Sequence, residues 1–182
     1  LSIRRQRQMC IRDSCKIFLE KTPFYAEKGG QIGDKGFITY ASKNNLVAEI
    51  IDTQVTADGL IVHFAEIKQG EIKVGEEVLA RVDSLQRKAI ARNHTATHLL
   101  HGVLREVLGE HVKQSGSAVN SNHLRFDFNH FAPLTREELE KIENLVNEKI
   151  LDALEVETKI STFDKAKEMG AIALFGEKYG EE

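Results

Sequence analysis

The chain is 182 residues long, enough for one large domain or two small ones that each bury a core. With 41% hydrophobic and 29% charged residues it has the make-up of an ordinary globular protein, and no apolar run approaches the roughly 20 residues that a helical membrane span requires. A formal net charge of −3 and a pI near 6.2 exclude a positive field over the whole molecule, so nucleic acid would have to be held by a local basic patch.

Cys10 and Cys15 stand near the amino end without a second pair to complete a ligand cluster or a disulfide framework, which fits a reducing, cytoplasmic setting. The chain opens on Leu1 and carries no charged leader followed by an apolar stretch, so it is expected to be cut at its front and not targeted. Residues 1–14, basic and without a sustained period, are expected to be a disordered or non-native tail.

From residue 15 to 84 the punctuation is that of β structure. Apolar runs at Phe37 to Tyr40, Leu46 to Val55, Leu60 to Phe64 and Val78 to Val82 are separated by turn signals at Gly29-Gly30, Asn44-Asn45, Asp58-Gly59 and Gly70. Val, Ile, Thr and Phe dominate these runs, and several closely spaced strands predict a small β-barrel.

The period then changes. Asp83 to Arg92 is a charged amphipathic stretch leading into a second helix, which Asn93 is suited to cap and Gly109 to end. Ala96, Leu99, Leu100, Val103, Leu104, Val107 and Leu108 follow the helical spacing of a packed face. Leu124 to Phe128 alternates as a half-buried strand does. Thr135-Arg136-Glu137-Glu138 reads as a capping box opening a helix with Leu139, Ile142, Leu145, Val146 and Ile150 as its apolar stripe. Val156 to Ile160 is expected as a strand, Asp164 to Met169 as a short helix stopped at Gly170, and Ala171 to Phe175 as a further apolar run. The whole is of α+β class, with a β module over 15–84 and a mixed module over 85–182.

At about 100° per residue, His94, His98, His101 and Arg105 fall in one narrow stripe, opposite the Leu and Val positions of the same helix. Two imidazoles at i and i+4 can reach one cation, at Zn–N distances of about 2.0–2.1 Å, so His94 and His98 are candidate zinc ligands. An isolated His-x-x-x-His more often binds nothing. Thr95 stands where a metalloprotease of this spacing has its Glu general base, which disfavours peptide hydrolysis. His101 fits a third-ligand role and a supporting or substrate-facing role equally.

The segment from Arg92 to His101, RNHTATHLLH, resembles the signature helix of the editing domains of alanyl-tRNA synthetases and their free-standing relatives. Further segments resemble the same family in the same order: Thr22 to Glu27 with Gly29-Gly30-Gln31 and Gly33-Asp34, Gln114 to Ser117, Leu124 to Phe128, and Ala173 to Tyr179. The resemblance covers about 16–182.

It implies a small β-barrel followed by an α/β two-layer editing core, incomplete at its carboxyl end. It also implies hydrolysis of the ester of tRNA(Ala) mischarged with serine or glycine. Zinc would be bound by His94 and His98 together with a Cys and a His of a later Cys-x-x-x-His segment that these 182 residues do not contain, so half of one zinc site is present. ATP and Mg2+ would belong to an upstream ligase domain. Gln114, which matches a family position, is a candidate catalytic contact because its amide both donates and accepts; otherwise it is a plain loop residue. Thr97 is a candidate sensor of the serine hydroxyl, or a helix residue bonding its own backbone. Arg87, Lys88 and Arg92 are expected either to meet tRNA phosphates or to form a solvated helix face. Gly29-Gly30-Gln31 is read as a turn, with no catalytic role for Gln31. A full synthetase is the preferred setting. A free-standing trans-editing deacylase and a tRNA-contacting module without catalysis are the alternatives.

Overall fold

The computed structural model describes residues 3–7, 14–41, 45–155, 157 and 159–170. The chain divides into two compact units, residues 1–95 with 117–125, and residues 96–116 with 126–182. The α+β class is as expected.

The first unit is built on a six-stranded antiparallel sheet. Its strands are β1 (Ile3–Arg7), β2 (Ser14–Leu19), β3 (Gly36–Tyr40), β4 (Leu46–Val55), β5 (Ile61–Ile67) and β6 (Val78–Val82), in the order β1-β2-β5-β4-β3-β6. β1 lies within the stretch expected as a tail. It pairs with β2, whose outer edge offers backbone donors and acceptors whatever the side-chain pattern of the incoming strand. Cys15, Ile17, Phe24, Ile38, Val47, Ala48, Ile50, Ala65, Ile72 and Val78 form its core. Each fully buried aliphatic side chain of this kind contributes about 1.5–3 kcal/mol. On β4 the alternation slips: the register shifts between Ile50 and Asp52, Ile51 is left exposed, and the next inward residue is Thr53. One extra residue in a strand reverses the facing of everything after it.

Helix α1 (Ser84–Leu108) is a single run of 25 residues. The expected break at Asn93 is absent because the cap sits earlier. Asp83 Oδ1 accepts from the backbone N–H of Leu85 and of Gln86, both at 3.0 Å, and so satisfies two donors of the first turn. Asn93 instead donates its side-chain amide to the carbonyl of Asn120 at 2.8 Å. This bond, and others described below, tie the first turns of α1 and residues 117–125 to the sheet unit. The first compact unit accordingly runs through Thr95.

In the second unit Val103, Leu104, Val112 and Ile142 are buried together, with Leu100, Val107, Leu108, Phe126, Phe128, Leu145 and Val146 packed against them. Strands β7 (Gln114–Val119) and β8 (Leu124–Phe128) form a two-stranded sheet. The capping box opens α2 (Arg136–Leu151), with Thr135 accepting from Glu138 N and Glu138 reaching back to Thr135 N. Helix α3 (Phe163–Glu168) ends before Gly170. Of the strand expected over 156–160, Glu157, Lys159 and Ile160 are irregular, and the other two residues lie outside those described. The run at 171–175 also lies outside the described residues. Among the described residues no helix is long and apolar enough to cross a membrane.

Candidate functional site

The loop between β2 and β3 delivers the first element of the site. Lys28 and Gln31 exchange two backbone hydrogen bonds, at 3.2 and 3.1 Å, around Gly29 and Gly30, whose φ values are 61° and 81°. Left-handed conformation at both central residues is the two-residue turn that matches strand twist, and glycine adopts it without steric cost. This turn is stitched to β7: Val119 N donates to Gly30 O at 2.8 Å, and Ile32 N to Val119 O at 3.1 Å. The approach is close, since a Cβ on Gly30 would lie 2.5 Å from the carbonyl oxygen of Ser117.

Pinned in this way, Gln31 is buried, and its Oε1 lies 2.6 Å from Nδ1 of His94 on α1. An amide oxygen only accepts, so this contact is a hydrogen bond when the ring proton is on Nδ1, the form in which the lone pair of a neutral ring is on Nε2. Nothing in the spacing of the sequence links these two residues. The one available signal was the Gly-Gly-Gln triplet itself, whose glycines also spell a plain turn.

A second network fixes the same loop from below. Asp34, 1% exposed, accepts from Arg87 Nε on Oδ1 at 2.9 Å, and its Oδ2 accepts both from Tyr25 N at 2.6 Å and from Arg87 Nη2. Arg87 also donates to the carbonyl of Pro23 at 2.8 Å. Its guanidinium is thus occupied within the first unit. Lys88 and Arg92 are exposed on α1.

His98 is exposed on α1, one turn beyond His94, and Thr97 beside it is buried. The expectation that the histidine stripe lies away from the packed face fails at His101, which is 8% exposed. Its ring is 5.1 Å from that of Phe126, so β8 contributes to covering it. Arg105 is likewise engaged, donating to the carbonyls of Glu110 at 2.9 Å and Val112 at 3.3 Å. The ring of His101 bonds the backbone of Val112, and its Nε2 is buried without a partner. Burial pushes its pKa down; the Val112 bond opposes this, and the charges of Arg105 and His98 reinforce it. Gln114 opens β7, half-buried, and Ser115, Gly116 and Ser117 continue that strand; Gln114 is thus a strand residue of the hairpin with β8 and not a plain loop residue.

Imidazole nitrogen suits zinc, and a neutral His94 ring with its proton on Nδ1 would carry its lone pair on Nε2. Among the described residues no group of three or more His, Cys, Asp or Glu gathers to hold a metal.

Residues 4–86 match the family model described as tRNA synthetases class II (A), so the matched stretch takes in most of the expected tail as well as the sheet. The chain is 50% identical over 169 residues to the alanine–tRNA ligase of Acetivibrio thermocellus, covering 93% of this chain and 19% of that protein. It is 51% identical over the same length to that of Myxococcus xanthus and 50% identical to that of Bacillus subtilis, with the same coverage. The chain is a homologue of one segment of the alanine–tRNA ligases, spanning about a fifth of the length of the curated relatives it matches.

Proposed function

We propose that the chain is the part of an alanine–tRNA ligase that hydrolyses the ester of tRNA(Ala) mischarged with serine or glycine. Alanine activation with ATP and Mg2+ would be carried by other parts of that enzyme. The observation that carries this reading is the bond between Gln31 and His94, which prepares one histidine of the His-x-x-x-His pair as a nitrogen donor.

Ester hydrolysis needs a water aligned on the carbonyl carbon, stabilisation of the charge that grows on the carbonyl oxygen, and release of the ribose hydroxyl. Zinc held by His94, His98 and two further ligands would supply Lewis acidity or a fixed point for the substrate. Gln114, with a donor and an acceptor on one amide, would orient the aminoacyl group. Thr97 would pair with the serine hydroxyl, since a site built to hydrogen-bond a hydroxyl rejects the analogue lacking it more strongly than an apolar pocket does. Lys88 and Arg92 would meet the phosphates of the tRNA.

The test is release of serine from Ser-tRNA(Ala) by the full-length gene product and by its His94→Ala variant. Loss of hydrolysis with alanylation retained supports the reading; equal hydrolysis in both proteins removes it.

A further inference from the structure

We propose that Gln31 is a positioning residue for His94: its side-chain oxygen locks the imidazole as the Nδ1-protonated tautomer, so that Nε2 is the nitrogen presented to a metal cation. The inference rests on the proposed zinc site for its purpose, but not for its geometry, which lies within the first unit.

Free histidine favours the opposite tautomer, with the proton on Nε2, so an Nδ1-protonated ring needs an acceptor facing Nδ1. Gln31 supplies one at 2.6 Å. The side chain has little freedom to leave, because Gln31 is 8% exposed and its backbone is bonded on both sides: to Lys28 within the turn, and through Gly30 and Ile32 to Val119. Three further bonds hold the loop that carries the turn. Glu27 N donates to Thr53 O at 2.9 Å, Asp34 N to Tyr25 O at 2.9 Å, and Thr53 Oγ1 to Asp34 O at 2.8 Å. The amide is therefore aimed by a built framework. Metal-ligating histidines regularly donate their second nitrogen to such an acceptor, which fixes ring orientation and raises ligand basicity; removing the acceptor typically weakens metal binding by about 10–100-fold. Gln31 occupies that position without being a ligand, and its neutral side chain leaves the net charge of the site unchanged.

Two measurements test this. Nitrogen-15 imidazole spectra of the metal-free chain, taken where the ring is neutral, should show His94 with a protonated Nδ1 and a bare Nε2. In Gln31→Ala the ring should shift toward the Nε2-protonated form, and Gln31→Glu, whose carboxylate accepts the same bond, should restore the first pattern. Zinc titration of the full-length gene product should give an affinity about 10–100-fold weaker in Gln31→Ala and recovered in Gln31→Glu. A wild-type His94 protonated on Nε2, or a Gln31→Ala protein that binds zinc as tightly as wild type, overturns the inference. If the wild-type protein binds no zinc while His94 keeps its Gln31-dependent tautomer, the positioning stands and the zinc reading falls.

Discussion

Arg87 on α1 and Asp34 in the loop before β3 form a two-point pair, with Nε 2.9 Å from Oδ1 and Nη2 bonded to Oδ2. The carboxylate is 1% exposed while the side chain of Arg87 is 40% exposed. Removing the arginine would leave a buried acceptor short of two donors. Arg87→Ala is expected to destabilise the protein by about 1.5–3 kcal/mol, toward the lower end because solvent reaches the guanidinium. Arg87→Lys should recover part of this, since an ammonium cannot reproduce the planar fork. Urea denaturation of the three proteins checks it, and a wild-type midpoint in Arg87→Ala contradicts it.

Lys88 and Arg92 separate from Arg87 in this respect. Both are exposed, so a Lys88→Ala, Arg92→Ala double variant is expected to keep the wild-type denaturation midpoint. If the two residues meet phosphates, its tRNA affinity should fall and the slope of log affinity against log salt should flatten by about two. An unchanged slope assigns both to a solvated helix face.

The glycine turn gives a paired prediction. A Cβ at Gly29 meets nothing within 4 Å, whereas at Gly30 it runs into Ser117. Gly29→Ala should cost only the left-handed backbone penalty of about 1–2 kcal/mol. Gly30→Ala carries the same penalty plus the clash, and it should also displace Gln31 and disturb the His94 tautomer. Equal stability and equal His94 spectra in the two variants would contradict the close approach.

The features legible in the sequence were those written locally. The limits of β4, β6 and β8 match their apolar runs, the Thr135 capping box forms as spelled, and Gly109 follows the last residue of α1 with φ at 116°. What escaped depends on contacts distant in sequence. Asn93 is a good cap by type, but Asp83 caps first and Asn120 claims its side chain. The alternation of polar and small residues in Gln114 to Ser117 carries little apolar signal, yet the segment pairs with β8 as a strand. His101 sits at a stripe position that periodicity assigns to solvent, and only Phe126 and the Val112 backbone reveal that it is covered. Of the site, the helix spacing of His94 and His98 was readable. Its support by Gln31 was not, because a turn and a helix far apart in sequence meet only in the fold.

His63 predicts a pH dependence of stability. It is fully buried, with Nδ1 2.9 Å from the carbonyl of Ile17 and Nε2 2.8 Å from Oγ1 of Thr22, and Phe24 lies edge-on at 5.3 Å between centroids. Burial lowers its pKa, outweighing the opposing bond to Ile17. Between that lowered value and the unfolded value of about 6.5 the unfolded chain binds more protons, so stability rises with pH. The contribution is fully present above about pH 6.5 and is lost as pH falls through the folded pKa. Denaturation midpoints should therefore drop on acidification from neutrality, with a shallower drop in His63→Gln even if that variant is weaker throughout. An identical slope in both proteins would place the acid sensitivity elsewhere.

Thr97 is 6% exposed, and the proposed editing reading gives it a part in selectivity. Thr97→Val is expected to lower the ratio of Ser-tRNA(Ala) to Ala-tRNA(Ala) hydrolysis, because the hydroxyl that would recognise serine is replaced by a methyl group of similar size. An unmoved ratio leaves Thr97 as a packing residue.

The most direct test of the editing assignment is the rate of Ser-tRNA(Ala) hydrolysis by the full-length gene product before zinc removal, after it, and after zinc is returned. The predicted result is loss of hydrolysis on removal and its recovery on return, with both absent in His94→Ala. Hydrolysis that continues undiminished in the zinc-free protein would contradict the role of His94 and His98 as holders of a metal that the reaction needs.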